Sequence, residues 1–146
     1  MSKNLEESGL KSIVSEYDLF FIDIWGVLHN GIKLYENAVK VLEELSNNEK
    51  EFILLTNAPR PNQTVINTLK KMGLNNFYDT VFTSGEASKR YLLENFNNKK
   101  FFHLGPPRDF DLFKTFESNK VLNIDDSDYL LCSGLFEEYE LSLIHI

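Results

Sequence analysis

Apolar positions along the first hundred residues switch between a helical and an extended rhythm. In "GLKSIVSEY", Leu10, Ile13, Val14 and Tyr17 recur at helical intervals, which predicts a helix. The run "LFFIDI" follows, apolar on nearly every position, as expected of a parallel strand covered on both faces. "HNG" then places Asn30 and Gly31 at a two-residue turn, which predicts a small hairpin flap with residues 27–29 and 32–34 as its arms. In "YENAVKVLEEL", Ala38, Val39, Leu42 and Leu45 share one helical face, and "EFILLTN" reads as a second buried strand. "PNQTVINTLKKMG" is a helix with Pro near its start and Gly73 near its end. A short third strand, "TVFTS" (80–84), leads into the helical "GEASKRYLLENF".

Strands alternating with helices of this length predict an α/β fold with a parallel sheet and right-handed crossovers. After the polar "NNKK" (97–100) the texture changes to "FFHLGPPRDFDLFKTF" and "YLLCSGLF", strand-like pieces separated by Gly-Pro and acidic turns. A second unit is expected to begin there. No repeat of about 20–50 residues is apparent.

The chain's 146 residues suit about one domain. A net charge of −7, with 12 Lys, 3 Arg and no basic cluster longer than a pair, argues against a nucleic-acid or anionic-membrane surface. A small-molecule or protein partner is expected instead. The single cysteine, Cys132, allows no internal disulfide and no CxxC metal site, and is expected to be a buried small hydrophobe. "MSKNLEESGLKSIV" holds neither a signal peptide nor a membrane span. With the lone thiol, this predicts a cytoplasmic protein.

Ligands of an open parallel α/β sheet bind outside the carboxyl ends of its strands. Asp23 ends the first expected strand, Thr56 and Asn57 the second, Thr83 and Ser84 the third. The four uncharged residues are also ordinary strand-end or helix-cap residues. A carboxylate between Ile22 and Ile24 is harder to account for, since burial there would demand a cation or hydrogen-bond donors.

These residues carry a resemblance. "FFIDIWGVLHNG", followed about thirty residues later by "FILLTNAPR", resembles motifs I and II of the haloacid dehalogenase-like phosphohydrolase superfamily. "TSGEA" and "LGPPRDFDLF…LLCSGLF" are similar to a class IIA, sugar-phosphatase-like subgroup in which DxWGVLH replaces the usual DxDGT. The similarity runs from about residue 10 to 140. It implies a three-layer, Rossmann-like parallel-sheet core, here incomplete. Residues 1–97 would form the N-terminal part of that core, 98–140 the beginning of a class IIA cap domain, and 141–146 a possible non-native tail. The resemblance further implies a Mg²⁺-dependent hydrolase of small phosphomonoesters or sugar phosphates, acting through an aspartyl-phosphate. Asp23 would be the nucleophile and a Mg²⁺ ligand, and Trp25 would give the metal its backbone carbonyl. Thr56 and Asn57 would hold the phosphoryl oxygens, with Trp25 and Gly26 also lining the substrate site.

Trp25 departs from the family pattern. A second aspartate there ordinarily protonates the leaving oxygen, and an indole N–H does not do so at neutral pH. Two alternatives follow: a leaving group that needs little help, or a proton from His29 on the expected flap. Trp25 as a plain pocket wall suits a face-on apolar or sugar-like leaving group.

A lysine motif and a later acidic motif are also expected. "VLNIDDSDYL" imitates the acidic one at Asp125 and Asp126 but fits better as an early cap segment, and Lys99, Lys100, Lys114 and Lys120 stand in the wrong segment for the lysine. "LSLIHI" resembles a translated sequencing adapter. The chain is therefore expected to be the N-terminal fragment of a longer enzyme, inactive by itself. The competing expectation is a non-catalytic phospho-ligand-binding or regulatory module.

Overall fold

A computed structural model describes residues 9–134. The regular elements are β1 (Leu19–Asp23), α1 (Glu36–Asn47), β2 (Glu51–Thr56), α2 (Asn62–Lys71), β3 (Val81–Thr83), α3 (Ser84–Asn95), β4 (Phe101–Leu104) and β5 (Tyr129–Cys132). Strands β1, β2 and β3 form one sheet in that order, and β4 with β5 a second. β1 and β2 run parallel, Leu19 opposite Glu51 and Asp23 opposite Leu55. β4 and β5 are also parallel, from Phe101 opposite Tyr129 to Leu104 opposite Cys132. This is the α/β parallel-sheet class that the alternating pattern predicts.

Two compact units divide the chain. One takes residues up to Leu55 together with Leu69–Val81; the other takes Thr56–Thr68 and the residues from Phe82 onward. In the first, Leu42 and Leu45 of α1, Phe52 and Leu54 of β2, and Ile24, Leu28, Leu69, Leu74 and Val81 are buried. Their spacing on α1 is the amphipathic face read from the sequence. In the second, Phe101, Leu112, Phe113, Phe116 and Leu131 form the core, with Leu92, Leu93 and Tyr129 packed against it.

Several local expectations are corrected. Residues 10–17 form two short 3-10 turns, Leu10–Ser12 and Val14–Glu16, rather than one helix. The β-branched pair Ile13 and Val14 carries poor helix propensity at the break. β1 is not covered on both faces: Leu19, Phe21 and Asp23 are exposed and Phe20 and Ile22 half-buried. "HNG" makes no regular hairpin. Asn30 lacks the positive φ that a type I′ turn needs, and its Oδ1 instead accepts the Ile32 and Lys33 N–H groups, each at 3.0 Å. That local Asx geometry competes with strand pairing, leaving only isolated bridges of His29 to Trp25 and to Leu34.

"PRDFDLFKTFESN" is not strand-like but a 3-10 stretch, Pro107–Asn119, kinked at Phe116. Cys132 is exposed, because Leu131 takes the inward position of β5 and its neighbours face out. Lys120 Nζ lies 4.4 Å from the Phe110 ring centre. The expected end of the cap segment after residue 134 and the "LSLIHI" tail lie outside the described residues.

Among the described residues β1 is an end strand of its sheet, with Phe21 64% and Leu19 41% exposed. An apolar edge without Lys or Pro is a template for pairing with another chain. The 146-residue chain is expected to self-associate as concentration rises, and Phe21→Lys to suppress it. Light scattering that shows the same monomer for both chains would overturn this.

Candidate functional site

β1 delivers Asp23 to its carboxyl end, where the chain turns back on itself. The Ile24 carbonyl accepts the N–H groups of Leu28 (2.9 Å) and His29 (3.3 Å), and Gly26 N–H donates to the His29 carbonyl at 2.8 Å. Ile24 and Leu28 anchor this turn by burial, at 2% and 0% exposed. The Asp23 carboxylate is exposed, so it avoids the desolvation that its neighbours suggested. Its Oδ1 accepts the Ile24 N–H at 2.8 Å, which orients the group at the strand end.

His29 is buried rather than displayed on a flap. Its Nδ1 accepts the Gly31 N–H at 2.8 Å, so the neutral ring carries its hydrogen on Nε2. Burial holds its pKa below the ordinary histidine value. Trp25 packs nearly perpendicular to that imidazole, with ring centroids 5.3 Å apart, yet it remains 64% exposed. Gly31, at φ +88°, lies so close that a Cβ there would stand 2.6 Å from Trp25 Cη2. Only glycine fits this approach and this backbone.

Thr56 and Asn57, at the end of β2, belong to the second unit. Thr56 is buried, and its Oγ1 accepts the Ala58 N–H at 3.2 Å, leaving the hydroxyl hydrogen to donate. The following loop is held by the start of α3. Ser84 Oγ donates to the Asn57 carbonyl at 2.8 Å, and Gly85 N–H to the Ala58 carbonyl at 3.1 Å. Thr83 Oγ1 donates to the Arg60 carbonyl at 2.5 Å and caps α3 by accepting the Glu86 N–H at 2.9 Å. Asn62 Oδ1 accepts the Thr83 N–H at 3.0 Å, and Asn62 N–H reaches Glu86 Oε2 at 3.2 Å. A Cβ on Gly85 would fall 2.2 Å from Arg60 N, so "TSGEA" packs directly on "TNAPRPN". Burial alone would raise the Glu86 pKa, but the Asn62 N–H, Lys89 and Arg90 outweigh it and hold the carboxyl below its usual range.

The same loop is tied to β4 and β5. Arg60 Nε lies 3.7 Å from Asp109 Oδ1. Ser133 Oγ donates to Asp109 Oδ2 at 2.9 Å and meets His103 Nε2 at 2.8 Å. With the serine hydrogen given to Asp109, His103 Nε2 is the donor to Ser133. Serine thus bridges the other two groups, an order that orients side chains and leaves Ser133 without a base to activate it. Burial lowers the His103 pKa, Lys120 lowers it further, and Asp109 offsets part of this.

The sequence-predicted residues therefore fall into two sets. Asp23, Trp25, Gly26 and His29 share one turn; Thr56 and Asn57 open the loop after β2, whose Leu55 pairs opposite Asp23. Sequence reasoning missed Gly31, Arg60, Asp109, His103 and Ser133. The signal for Gly31 was its place beside Asn30, read as a turn and not as a seat for an indole. Among the described residues no three His, Cys, Asp or Glu side chains group as a metal site, and Asp125 and Asp126 are exposed in a 3-10 turn.

His29 and His103 both stay neutral in the folded chain to lower pH than the ordinary value of 6.5. Below about 6.5 the unfolded chain binds more protons, so stability is lost as pH falls from neutrality towards the folded pKa values. The urea midpoint should drop over that window, and the double variant His29→Gln, His103→Gln should flatten the slope. Parallel profiles would refute the assignment.

The family model for haloacid dehalogenase-like hydrolases matches residues 20–118. Among solved structures, a haloacid dehalogenase-like hydrolase from Brucella suis is 26% identical with a TM-score of 0.76, over 93% of this chain and 54% of that one. A 4-nitrophenylphosphatase from Thermotoga maritima is 25% identical with a TM-score of 0.66, over 86% and 49% of the two chains. A glycerol phosphate phosphatase from Mycobacterium tuberculosis, solved with magnesium, is 20% identical with a TM-score of 0.64, over 86% and 38%. It supports the fold alone. The chain thus spans about half, or less, of each of these solved proteins. No curated protein matches the sequence.

Proposed function

Because the chain belongs to the haloacid dehalogenase-like hydrolase family, we propose that it carries the nucleophile-bearing part of a phosphomonoester hydrolase. The observation that carries this reading is Asp23 itself, an exposed carboxylate at the carboxyl end of a parallel strand, oriented by the Ile24 N–H. One Asp23 oxygen attacks phosphorus. The bond from phosphorus to the ester oxygen breaks with its electron pair on the leaving group, giving an aspartyl-phosphate and an alcohol or phenol after protonation. Water then attacks phosphorus, releasing inorganic phosphate and the carboxylate. Thr56, with its hydroxyl hydrogen uncommitted by the Ala58 contact, and Asn57 donate to the phosphoryl oxygens. Trp25 and Gly26 line the substrate side of the turn.

The donor set suits Mg²⁺ only in part. The Asp23 carboxylate and the Trp25 backbone carbonyl are hard oxygen donors, and phosphate oxygens and water must complete the shell. Bound there, the ion would offset phosphate charge. With no metal-holding cluster among the described residues, the 146-residue chain alone should turn over an aryl phosphate no faster than its Asp23→Asn variant.

Proton donation is the weak point of the site. His29 could donate from a charged ring, but burial and its Nδ1 contact favour the neutral form. His29→Ala should therefore change turnover of good and poor leaving groups alike; a selective loss for poor ones would make His29 the acid. With no positioned acid among the described residues, a second reading also stands, a phospho-ligand-binding module without turnover. Acid quenching of the protein expressed from its complete gene, followed by hydroxylamine release of phosphate from the Asp23 peptide, separates the two. The enzyme forms and turns over that adduct; the module does not.

A further inference from the structure

Trp25 is the chain's single tryptophan, and the turn after Asp23 is built around keeping it in place while leaving it open. The His29 imidazole stands near-perpendicular to it, at 86°, and that imidazole is itself fixed by the Gly31 N–H at 2.8 Å. The Gly31 backbone presses on the benzo rim, where even a methyl group would stand 2.6 Å from Cη2. Asn30 locks the rest of the turn through its two Oδ1 contacts. Despite these restraints the residue is 64% exposed, two positions from a nucleophile candidate. A side chain held in one orientation and left bare is pre-organised for a ligand, since the ordering cost is already met before binding.

The geometry points to Trp25 as a stacking platform for the leaving group, so that the ester brought to Asp23 is an aromatic phosphomonoester. This deepens the phosphatase reading and rests on it. Two independent features agree. A flat ring matches the open indole surface through offset or edge contacts. A phenolic oxygen also departs with little protonation, which suits a turn where an indole, which donates no proton at neutral pH, stands two positions from Asp23. A small alkyl ester such as ethyl phosphate would gain from neither.

The single tryptophan makes the test direct. The 146-residue chain, with Mg²⁺ and at concentrations where light scattering shows a monomer, is titrated with phenyl phosphate, ethyl phosphate, inorganic phosphate and phenol. Trp25 emission and phosphorus NMR line widths are followed together. Phenyl phosphate should change the emission and bind about two- to tenfold more tightly than ethyl phosphate. Trp25→Ala should erase that preference by NMR while ethyl phosphate still binds. Gly31→Ala keeps the fluorophore but displaces the ring, and should lose most of both the preference and the emission response.

Equal affinity for the two esters, with unchanged emission, would overturn the platform while leaving the phosphatase reading intact. A response to phenol as strong as that to phenyl phosphate would overturn it as well, by separating ring contact from phosphate binding. Binding of no phosphate compound by either this chain or the protein expressed from its complete gene would overturn both.

Discussion

Asp23→Asn should lower turnover of an aryl phosphate by about 10⁴-fold or more in the protein expressed from its complete gene. The size of the effect follows from the chemistry: an amide oxygen is too weak a nucleophile to form the covalent intermediate. The structure makes the substitution a clean one. Asp23 is exposed, and the contact its carboxylate makes is to the Ile24 N–H at Oδ1, which an asparagine carbonyl oxygen can replace. The variant should therefore unfold at an unchanged temperature and still bind phenyl phosphate. Loss of activity with loss of folding would leave the nucleophile unassigned, and Asp23→Glu, which keeps the carboxylate but moves it by a methylene, then decides: it too must be nearly inactive yet folded. Activity retained within about tenfold in the asparagine variant would remove Asp23 from the nucleophile's place. Trp25→Asp makes the complementary case. It supplies a carboxylic acid where the turn has an indole, and should raise turnover of alkyl esters relative to aryl ones.

The elements that were legible are those whose pattern is long. α1 and α2 announce themselves by apolar positions at helical spacing, and β2 by a run between polar ends; the register that sets Asp23 opposite Leu55 is seen only in the structure. The place of Asp23 as the last residue of β1 was legible because the apolar run meets its one carboxylate there. What failed was burial. "LFFIDI" looks like a strand covered on both faces, but cover depends on which elements reach the sheet, and β1 is an end strand among the described residues. His29 looked solvent-exposed because Asn30-Gly31 suggests a hairpin tip, whereas the Asn30 side chain folds the turn back and buries the imidazole.

The second unit was less legible still. Asp109, His103, Ser133 and Arg60 meet only through tertiary structure, from positions up to 73 residues apart. No periodicity records such a network. In "DFDLFKTF" the aromatic positions read equally well as extended or helical over so short a span, and packing of Phe113 and Phe116 on Phe101 selects the helical form.

Phe101→Ala should destabilise the second unit by about 3–5 kcal/mol. Phe101 is fully buried, with ring centroids 5.2 Å from Phe113, 5.4 Å from Phe116 and 5.8 Å from Tyr129. Truncation leaves a cavity lined by rings borne on β5 and on the 3-10 stretch, and β4 itself is held by Tyr129 across the register and by the Val121 N–H at 2.9 Å. The effect should reach the loop after β2, proposed above to hold phosphate, because Thr56–Thr68 belongs to the same compact unit and is tied to it by Thr83, Ser84, Asp109 and Asp111. Hydrogen exchange should therefore show protection lost together across residues 56–68 and 82–134, with phosphate affinity falling although Phe101 is no part of the site. Leu130→Ala, at a half-exposed position of β5, should change stability by no more than about 0.5 kcal/mol. If Phe101→Ala instead loosened only β4 and β5 and left residues 56–68 protected, the loop would owe its order to its own hydrogen bonds, and the proposed link from this core to phosphate binding would be wrong.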